Sequence, residues 1–243
     1  MVPAWLHDLS ICVLALGVIC AIVIIADEIK NPQHMWIMNV VWPMTALFGT
    51  VAWLWAYYRY GRLATMKLMM EAKRREEEPP NKKKPFAAMV GEGASHCGSG
   101  CTLGDIFAEW LAFFVPTIAV WLGWHSIFGE KIYAVWILDY IFAYAFGIVF
   151  QYFTVAPMRG LNFAQGIWAA IKADTLSLTA WQVGMYGFMA IAYFLIFRPL
   201  IGVELRVNSV EFWFMMQIAM IFGFITSYPV NWWLIEAGIK ERM

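Results

Sequence analysis

The stretch LSICVLALGVICAIVIIA, residues 9–26, decides the fold class because none of its side chains carries a charge. An α-helix of about 20 apolar residues is long enough to cross the hydrocarbon core of a bilayer. The rest of the chain has the same character: 62% of its 243 residues are hydrophobic and 14% are charged. Soluble domains carry roughly 25% charged residues. The sequence therefore predicts helices that span a membrane.

Five further apolar runs follow the first one. They occupy residues 35–58, 106–128, 132–156, 176–197 and 210–235. Each is long enough for one membrane span. We therefore predict the all-α class, as a polytopic membrane bundle of six transmembrane helices. The formal net charge is zero and no nucleic-acid-binding motif occurs, so the bilayer is an expected partner and nucleic acid is not.

The pattern of charge predicts the organisation and the orientation. Residues 1–60 are expected to form a first transmembrane hairpin, 61–94 a charged cytoplasmic loop, and 95–243 a four-helix membrane domain. That domain would open with a loop of cysteine and histidine, and would include an amphipathic interfacial helix near 161–175. Thirteen Lys and Arg residues fall on one side of the predicted spans and four on the other. Because positive residues are retained on the cytoplasmic side, both termini are predicted to be cytoplasmic, in a plasma membrane.

The stretch SHCGSGCTLGD, residues 95–105, is the main candidate site. The pair Thr102 and Asp105 resembles a capping box, so a helix is expected to begin at Thr102 or Leu103. The residues before it would then lie in a loop near a helix N-terminus, which favours thiolates. Two thiolates and an imidazole form a soft ligand set that suits Cu(I) first and Zn(II) second. The predicted metal ligands are His96, Cys97, Cys101, Asp105 and Glu109.

Three other uses of the same stretch stay open at this point: a structural disulfide, a redox or sensing dithiol, and cysteines that act only as small buried side chains. Two further groups of residues favour a functional interior. Paired thioethers at helical spacing, a possible Cu(I) path, are Met185, Met189, Met216 and Met220. A supporting polar cluster near the span ends consists of Gln151, Arg159, Lys172, Asp174 and Asn231. Asp139, by contrast, is expected to be solvated or paired with Lys131.

The blocks SHCGSGCTLGD, APMRG, KADTLSLT and YPVNWW resemble those of a bacterial family of integral membrane proteins known as a domain of unknown function. The resemblance covers roughly residues 94–243. It implies a helical bacterial membrane protein, and no assigned activity comes with it. The motif residues that it implies are His96, Cys97, Cys101, Asp105, Glu109, Arg159, Lys172 and Asp174.

These observations predict a membrane protein that binds copper or zinc at its cytoplasmic half, for transport, delivery or sensing of the metal. A cytoplasmic metal chaperone or a membrane-complex partner would then be expected. One alternative is a membrane-bound oxidoreductase that uses a dithiol or a metal centre on a quinone-like or lipid substrate. Another is a scaffold or assembly subunit. No hydrolase triad, P-loop or dinucleotide fingerprint is present, and an enzymatic role is not favoured.

Overall fold

A computed structural model describes residues 1–242 of the protein, which fold almost entirely into helices. The α-helices are α1 (Ala4–Lys30), α2 (Met38–Arg59), α3 (Met66–Arg75), α4 (Phe86–Phe114), α5 (Thr117–Trp121), α6 (Lys131–Arg159), α7 (Phe163–Ala190) and α8 (Val210–Glu236). A π-helical stretch, Ile191–Ile201, continues α7, and short 3₁₀ turns occupy Gly61–Ala64 and Pro80–Lys83. The predicted all-α class is confirmed.

Five of these helices are long and apolar enough to cross a membrane: α1, α2, α6, α7 with its π-helical continuation, and α8. The third predicted span, residues 106–128, does not form one helix. Helix α4 ends at Phe114, and after Val115 and Pro116 the short α5 begins. Proline lacks the N–H that would continue an α-helix and restricts the residue before it, which explains the interruption.

Helix α4 begins well before the point that the sequence predicted. The expected start at Thr102 or Leu103 is wrong, because the helix runs unbroken from Phe86 to Phe114 and includes the whole SHCGSGC segment. Every residue from Glu92 to Thr102 is buried. A helix that is buried on all sides lies at the centre of its domain, and packing can override the poor helix propensity of glycine and serine. The charged connection is correspondingly shorter than 61–94.

The glycines of α4 bring other helices close to it. Gly100 packs on the backbone of Gly147 in α6, where an added Cβ would lie 2.9 Å from the Gly147 Cα atom. Gly104 packs in the same way on Ala143. From the first pair to the second, the residue number rises along α4 and falls along α6, so the two helices are antiparallel. Small residues four apart allow this close contact between helices in membranes.

The antiparallel packing defines two ends of the bundle. The end where α4 begins carries Lys84 and is called the Lys84 end; the end where α6 begins is called the Lys131 end. Helix α4 also packs against α2, α7 and α8. All of its residues from Glu92 to Thr102 face the interior, and beyond them one face continues inward through Asp105 and Glu109 while Phe107 and Phe114 are exposed.

The amphipathic helix expected near 161–175 is the first part of α7 and not a separate element. Asn162 and Gln165 form a capping box at its start, with the Gln165 backbone N–H 3.0 Å from Asn162 Oδ1. No proline or glycine interrupts the segment around residue 175, so the helix continues into the next apolar run as one element.

Candidate cation site in the helical bundle

Cys97 lies in a buried polar network between α4, α7 and α8. Its Sγ atom is 2.6 Å from Asp174 Oδ1 and 2.8 Å from Ser177 Oγ. The side-chain amide of Asn231 donates to the same Ser177 hydroxyl at 2.6 Å. All four residues are at most 1% exposed. The structure thus joins the predicted Cys97 to two members of the predicted polar cluster, Asp174 and Asn231.

Lys240 completes this network, although the sequence analysis did not single it out. Its ammonium group donates to Asn231 Oδ1 at 2.7 Å, to the Gly93 carbonyl at 3.0 Å and to Cys97 Sγ at 3.2 Å. It also lies 3.6 Å from Asp174 Oδ1. The chain turns back into the bundle after α8 at Gly238, whose φ of +69° is typical of a helix C-terminus. That glycine was the available signal.

Cys101 lies one helical turn beyond Cys97 and is also completely buried. Its Sγ atom is 3.9 Å from the Gln182 amide nitrogen. Both cysteines are free thiols in the structure. They belong to one hydrophobic cluster with the four methionines of the predicted path. These methionines, Met185, Met189, Met216 and Met220, are at most 4% exposed. The two cysteines and these four methionines therefore share one buried cluster.

His96 does not join the cysteines. Its Nε2 atom lies 3.1 Å from Met38 Sδ and 3.2 Å from Thr154 Oγ1, on the side of α4 that faces α2 and α6. Consecutive residues of an α-helix point about 100° apart, so His96 and Cys97 cannot share a face once they are helical. The loop expected from the sequence would have allowed them to meet.

Three buried carboxyl groups lie between the cysteines and the Lys131 end. Asp105 and Glu109 continue the Cys97–Cys101 face of α4 at intervals of four residues, and Asp139 reaches the same region from α6. The packing of Gly104 on Ala143 places Asp139 beside the turn that joins Asp105 to Glu109. Asp105 and Asp139 are completely buried, and neither carboxyl group has a hydrogen-bond partner among residues 1–242.

The expected solvation of Asp139, or its pairing with Lys131, is therefore wrong. The Lys131 ammonium instead donates to the Ala112 carbonyl at 3.0 Å. Because Asp139 points between two closely packed helices, it is held inside the bundle and not at its surface. The sequence showed only its position near a span end, which does not fix the face.

A cavity of about 540 Å³ reaches Glu109 from the Lys131 end. Its wall includes an ion pair in which the Arg198 guanidinium donates to both carboxylate oxygens of Glu130, at 2.8 and 3.1 Å. These hydrogen bonds hold the pKa of the Glu130 carboxyl below its usual value. The cavity gives Glu109 an opening to that end of the bundle.

Helix α2 turns back at Thr50, since the rings of Trp42 near its start and Tyr57 near its end lie 5.6 Å apart. Thr50 has φ +47° and ψ −128°, a conformation that a β-branched residue rarely adopts. Gln217 of α8 donates to the Leu47 carbonyl at 2.5 Å. Leu47 and Gln217 line an apolar cavity of about 170 Å³ that Asp105 also lines. Interrupted spanning helices of this kind line binding sites in membrane transporters.

The other members of the predicted polar cluster lie apart from Cys97. Arg159 forms an ion pair with Glu241 at the Lys84 end, and Lys172 is exposed, 5.0 Å from the ring of Trp168. Gln151 is buried, and its side-chain amide has no hydrogen-bond partner within the described part of the chain. The structure thus divides the five residues between the cysteine network, the chain end and the bundle interior.

The predicted metal ligands do not surround one point. Within residues 1–242, no three His, Cys, Asp or Glu side chains are arranged as a metal-binding group. What the structure brings together is a pair of thiols and a neighbouring carboxylate, followed by separate carboxyl groups. A tetrahedral Zn(II) site with four protein ligands does not fit this arrangement, whereas Cu(I) accepts fewer and softer ligands.

The fold and the site together define a class: an all-α bundle with several helices of membrane-spanning length, built around a central helix that carries a buried face of cysteines and acids. The particular family follows from the sequence comparison. The family model described as a domain of unknown function (DUF4396) matches residues 88–240, more than half of the chain, and the protein belongs to that family. No match was found among curated proteins or among solved structures.

Proposed function

We propose that the protein is an integral membrane protein of the bacterial plasma membrane that transports a soft metal cation, Cu(I) first and Zn(II) second. Delivery or sensing of the metal would use the same site. The observation that carries the proposal is the buried face of α4, with Cys97 and Cys101 followed by Asp105 and Glu109. Ionisable residues inside a membrane bundle are costly, and their usual role is an ion pathway.

The order of donor types along the bundle supports a soft cargo. Cys97 and Cys101 provide two thiols in adjacent turns, and the buried methionines provide thioethers in the same cluster. Thiolates and thioethers together favour Cu(I) over the hard cations, which prefer oxygen. Asp105, Asp139 and Glu109 would then carry the positive charge onward to the cavity at the Lys131 end.

The proposed topology has five crossings, by α1, α4, α6, α7 and α8, because Trp42 near the start of α2 packs on Tyr57 near its end and α2 therefore returns to the side from which it came. The two termini then lie at opposite ends of the bundle, since His7 contacts Glu211 at the start of α8 whereas Lys240 lies beyond the end of α8. The six crossings with both termini in the cytoplasm that the sequence predicted do not fit these contacts.

Helix α4 would be one of these crossings, since its 29 residues exceed the length that a bilayer requires. Its low hydropathy is tolerable because the surrounding helices shield it from lipid. The excess of Lys and Arg assigns the Lys84 end to the cytoplasm. A cytoplasmic metal chaperone could then exchange its cargo with Cys97, the cysteine nearer to that end.

Transport into vesicles tests the proposal. Purified protein is reconstituted, Cu(I) is added with a reductant, and metal inside the vesicles is measured for wild type and for Cys97→Ser/Cys101→Ser. The matched control is Cys12→Ser/Cys20→Ser, which removes two thiols that lie in α1, away from this network. We expect uptake by wild type and by the control, and its loss in the first variant.

Equal uptake by both double variants would refute the assignment of the site. Absence of uptake by correctly folded wild type in either direction, with Cu(I) or with Zn(II), would refute transport. Stoichiometric metal in the purified wild type without any uptake would leave delivery or sensing as the use of the site.

A second candidate is a membrane-bound oxidoreductase that acts on a quinone-like or lipid substrate. The apolar cavity beside Asp105 and the break in α2 favours it, because its size and lining suit part of a hydrophobic molecule. An organic extract of the purified protein, together with its optical spectrum, tests this candidate. A bound quinone in the extract would support it, and a clean extract without a chromophore would argue against it.

A further inference from the structure

The Lys240 ammonium is surrounded as a bound cation would be. Its acceptors are the Gly93 carbonyl, Asn231 Oδ1 and Cys97 Sγ, at 2.7 to 3.2 Å, with Asp174 Oδ1 at 3.6 Å. These groups come from three different helices, and Lys240 itself is 2% exposed. A buried ammonium requires a negative partner and several acceptors, and both are present here.

The location of this group of acceptors is as informative as its composition. Cys97 is the first thiol met from the Lys84 end, and the proposed path continues from it to Cys101. A cation that arrives from that end must therefore take the position that Lys240 now holds. Lys240 is not part of any helix, since α8 ends at Glu236.

We propose that Gly93, Cys97, Asp174 and Asn231 form the loading site for a monovalent cation, and that Lys240 is its tethered occupant, which leaves when the cation binds. The proposal rests on the proposed function, because the incoming cation is the transported one. The cation binds the Cys97 thiolate, and the thiol proton passes to Asp174 Oδ1, which already accepts it at 2.6 Å. Lys240 leaves with one positive charge and the cation brings one, so the net charge of the buried site does not change. No unpaired carboxylate is left behind in the bundle, which keeps the exchange inexpensive.

The chain end has a hinge and two surface attachments that suit such a movement. Gly238 has φ +69° and open space around its Cα atom, so it can change conformation without a clash. The attachments are the ion pair between Glu241 and Arg159 and the position of the Arg242 guanidinium, 5.4 Å from the ring centre of Phe86. Interactions of exposed charges are weak, and they can hold the chain end in place without locking it.

The full-length protein in detergent tests the exchange directly, with silver ion as a redox-stable soft monovalent probe. An amine-reactive reagent is added with and without silver, and the modification rate of each lysine is measured by peptide mass spectrometry. Two lysines in the same sample serve as references. Lys172 is exposed and reports the intrinsic rate, and Lys84 is buried in an ion pair with Glu92, outside the site.

Without silver, we expect Lys240 to react far more slowly than Lys172. With silver bound, the Lys240 rate should rise toward that of Lys172, while the Lys84 rate stays low. If silver binds and the Lys240 rate does not change, the exchange is refuted and the proposed function stands. If the Lys84 rate rises together with that of Lys240, silver has unfolded the protein and the exchange is also refuted.

Silver affinity measured by equilibrium dialysis adds a second readout. In Lys240→Leu the internal competitor is absent and no soft ligand is added, so the affinity should increase by about tenfold if Lys240 fills the site for nine-tenths of the time. Lys240→Arg keeps a tethered cation and should bind silver no more tightly than wild type. Absence of silver binding to both wild type and folded Lys240→Leu would refute the loading site and the proposed function together.

Discussion

Replacement of Gly104 by alanine should weaken the contact between α4 and α6 that holds the bundle centre together. The added Cβ would lie 2.6 Å from the Ala143 Cα atom and 2.9 Å from the Phe142 carbonyl carbon. Both are backbone atoms, which no change of rotamer can move away. Overpacking costs about 1–3 kcal/mol, and a contact of this kind should reach the upper part of that range.

Alanine also has a higher helix propensity than glycine, by about 1 kcal/mol, and this gain offsets part of the cost. The net expectation for Gly104→Ala is therefore a loss of about 2 kcal/mol in the free energy of unfolding. Gly91→Ala is the matched control in the same helix. Its added Cβ would meet only Phe224 Cζ, at 3.9 Å, which is an ordinary contact. That variant should be more stable than wild type by up to about 1 kcal/mol.

The assay is denaturant titration in mixed micelles, followed by tryptophan fluorescence, for wild type and the two variants under identical conditions. The opposite signs of the two effects are the decisive feature, because both variants make the same chemical change in α4. The reasoning is refuted if Gly104→Ala is as stable as Gly91→Ala. Such a result would mean that α4 and α6 are not in backbone contact at Gly104.

Two further predictions concern charged groups at either end of the bundle. Asp174→Asn should cost about 3–5 kcal/mol because it leaves the buried Lys240 ammonium without its carboxylate. Asp174→Asn/Lys240→Met should cost less than the sum of the single changes in a double-mutant cycle, and additive effects would contradict the pairing. At the other end, Arg198 lowers the pKa of Glu130, so this pair stabilises the fold above the usual carboxyl pKa. That contribution is lost as the pH falls through the lowered pKa. The stability difference between wild type and Glu130→Gln should therefore be small and should disappear in acid; a difference that is independent of pH would contradict the ion pair.

The SHCGSGC stretch is a segment whose local sequence pattern predicted the wrong secondary structure. Its glycines suggested a loop, and the pair Thr102 and Asp105 suggested the start of a helix after it. In a segment considered alone, glycine is typical of loops and a capping pair is typical of a helix N-terminus. In the structure the same glycines serve as contact points for α6 and α7. A stretch of small residues is compatible with a loop or with a close helix contact, and only the neighbouring helices distinguish the two.

Only some of the residues that form the candidate site could be predicted from the sequence. Cys97, Asp174 and Asn231 were recognised by their chemistry, since thiols, carboxylates and amides are unusual in apolar helices. Lys240 was counted only as a charge of the chain end. Asp139 was assigned to the surface for a similar reason. In both cases the residue type was visible, but the direction in which the chain returns or the helix faces was not.

The sequence by itself determined that the chain is helical, which of its segments are apolar enough to span a membrane, and which residue types stand out against that background. These are properties of composition and periodicity, because the cost of exposing polar backbone to lipid leaves few alternatives to the helix. The tertiary structure decided that α4 is the central helix, that His96 and Cys97 face different neighbours, and that Lys240 lies against Cys97. Those outcomes depend on contacts between residues that are distant in the chain, which periodicity along one helix cannot specify.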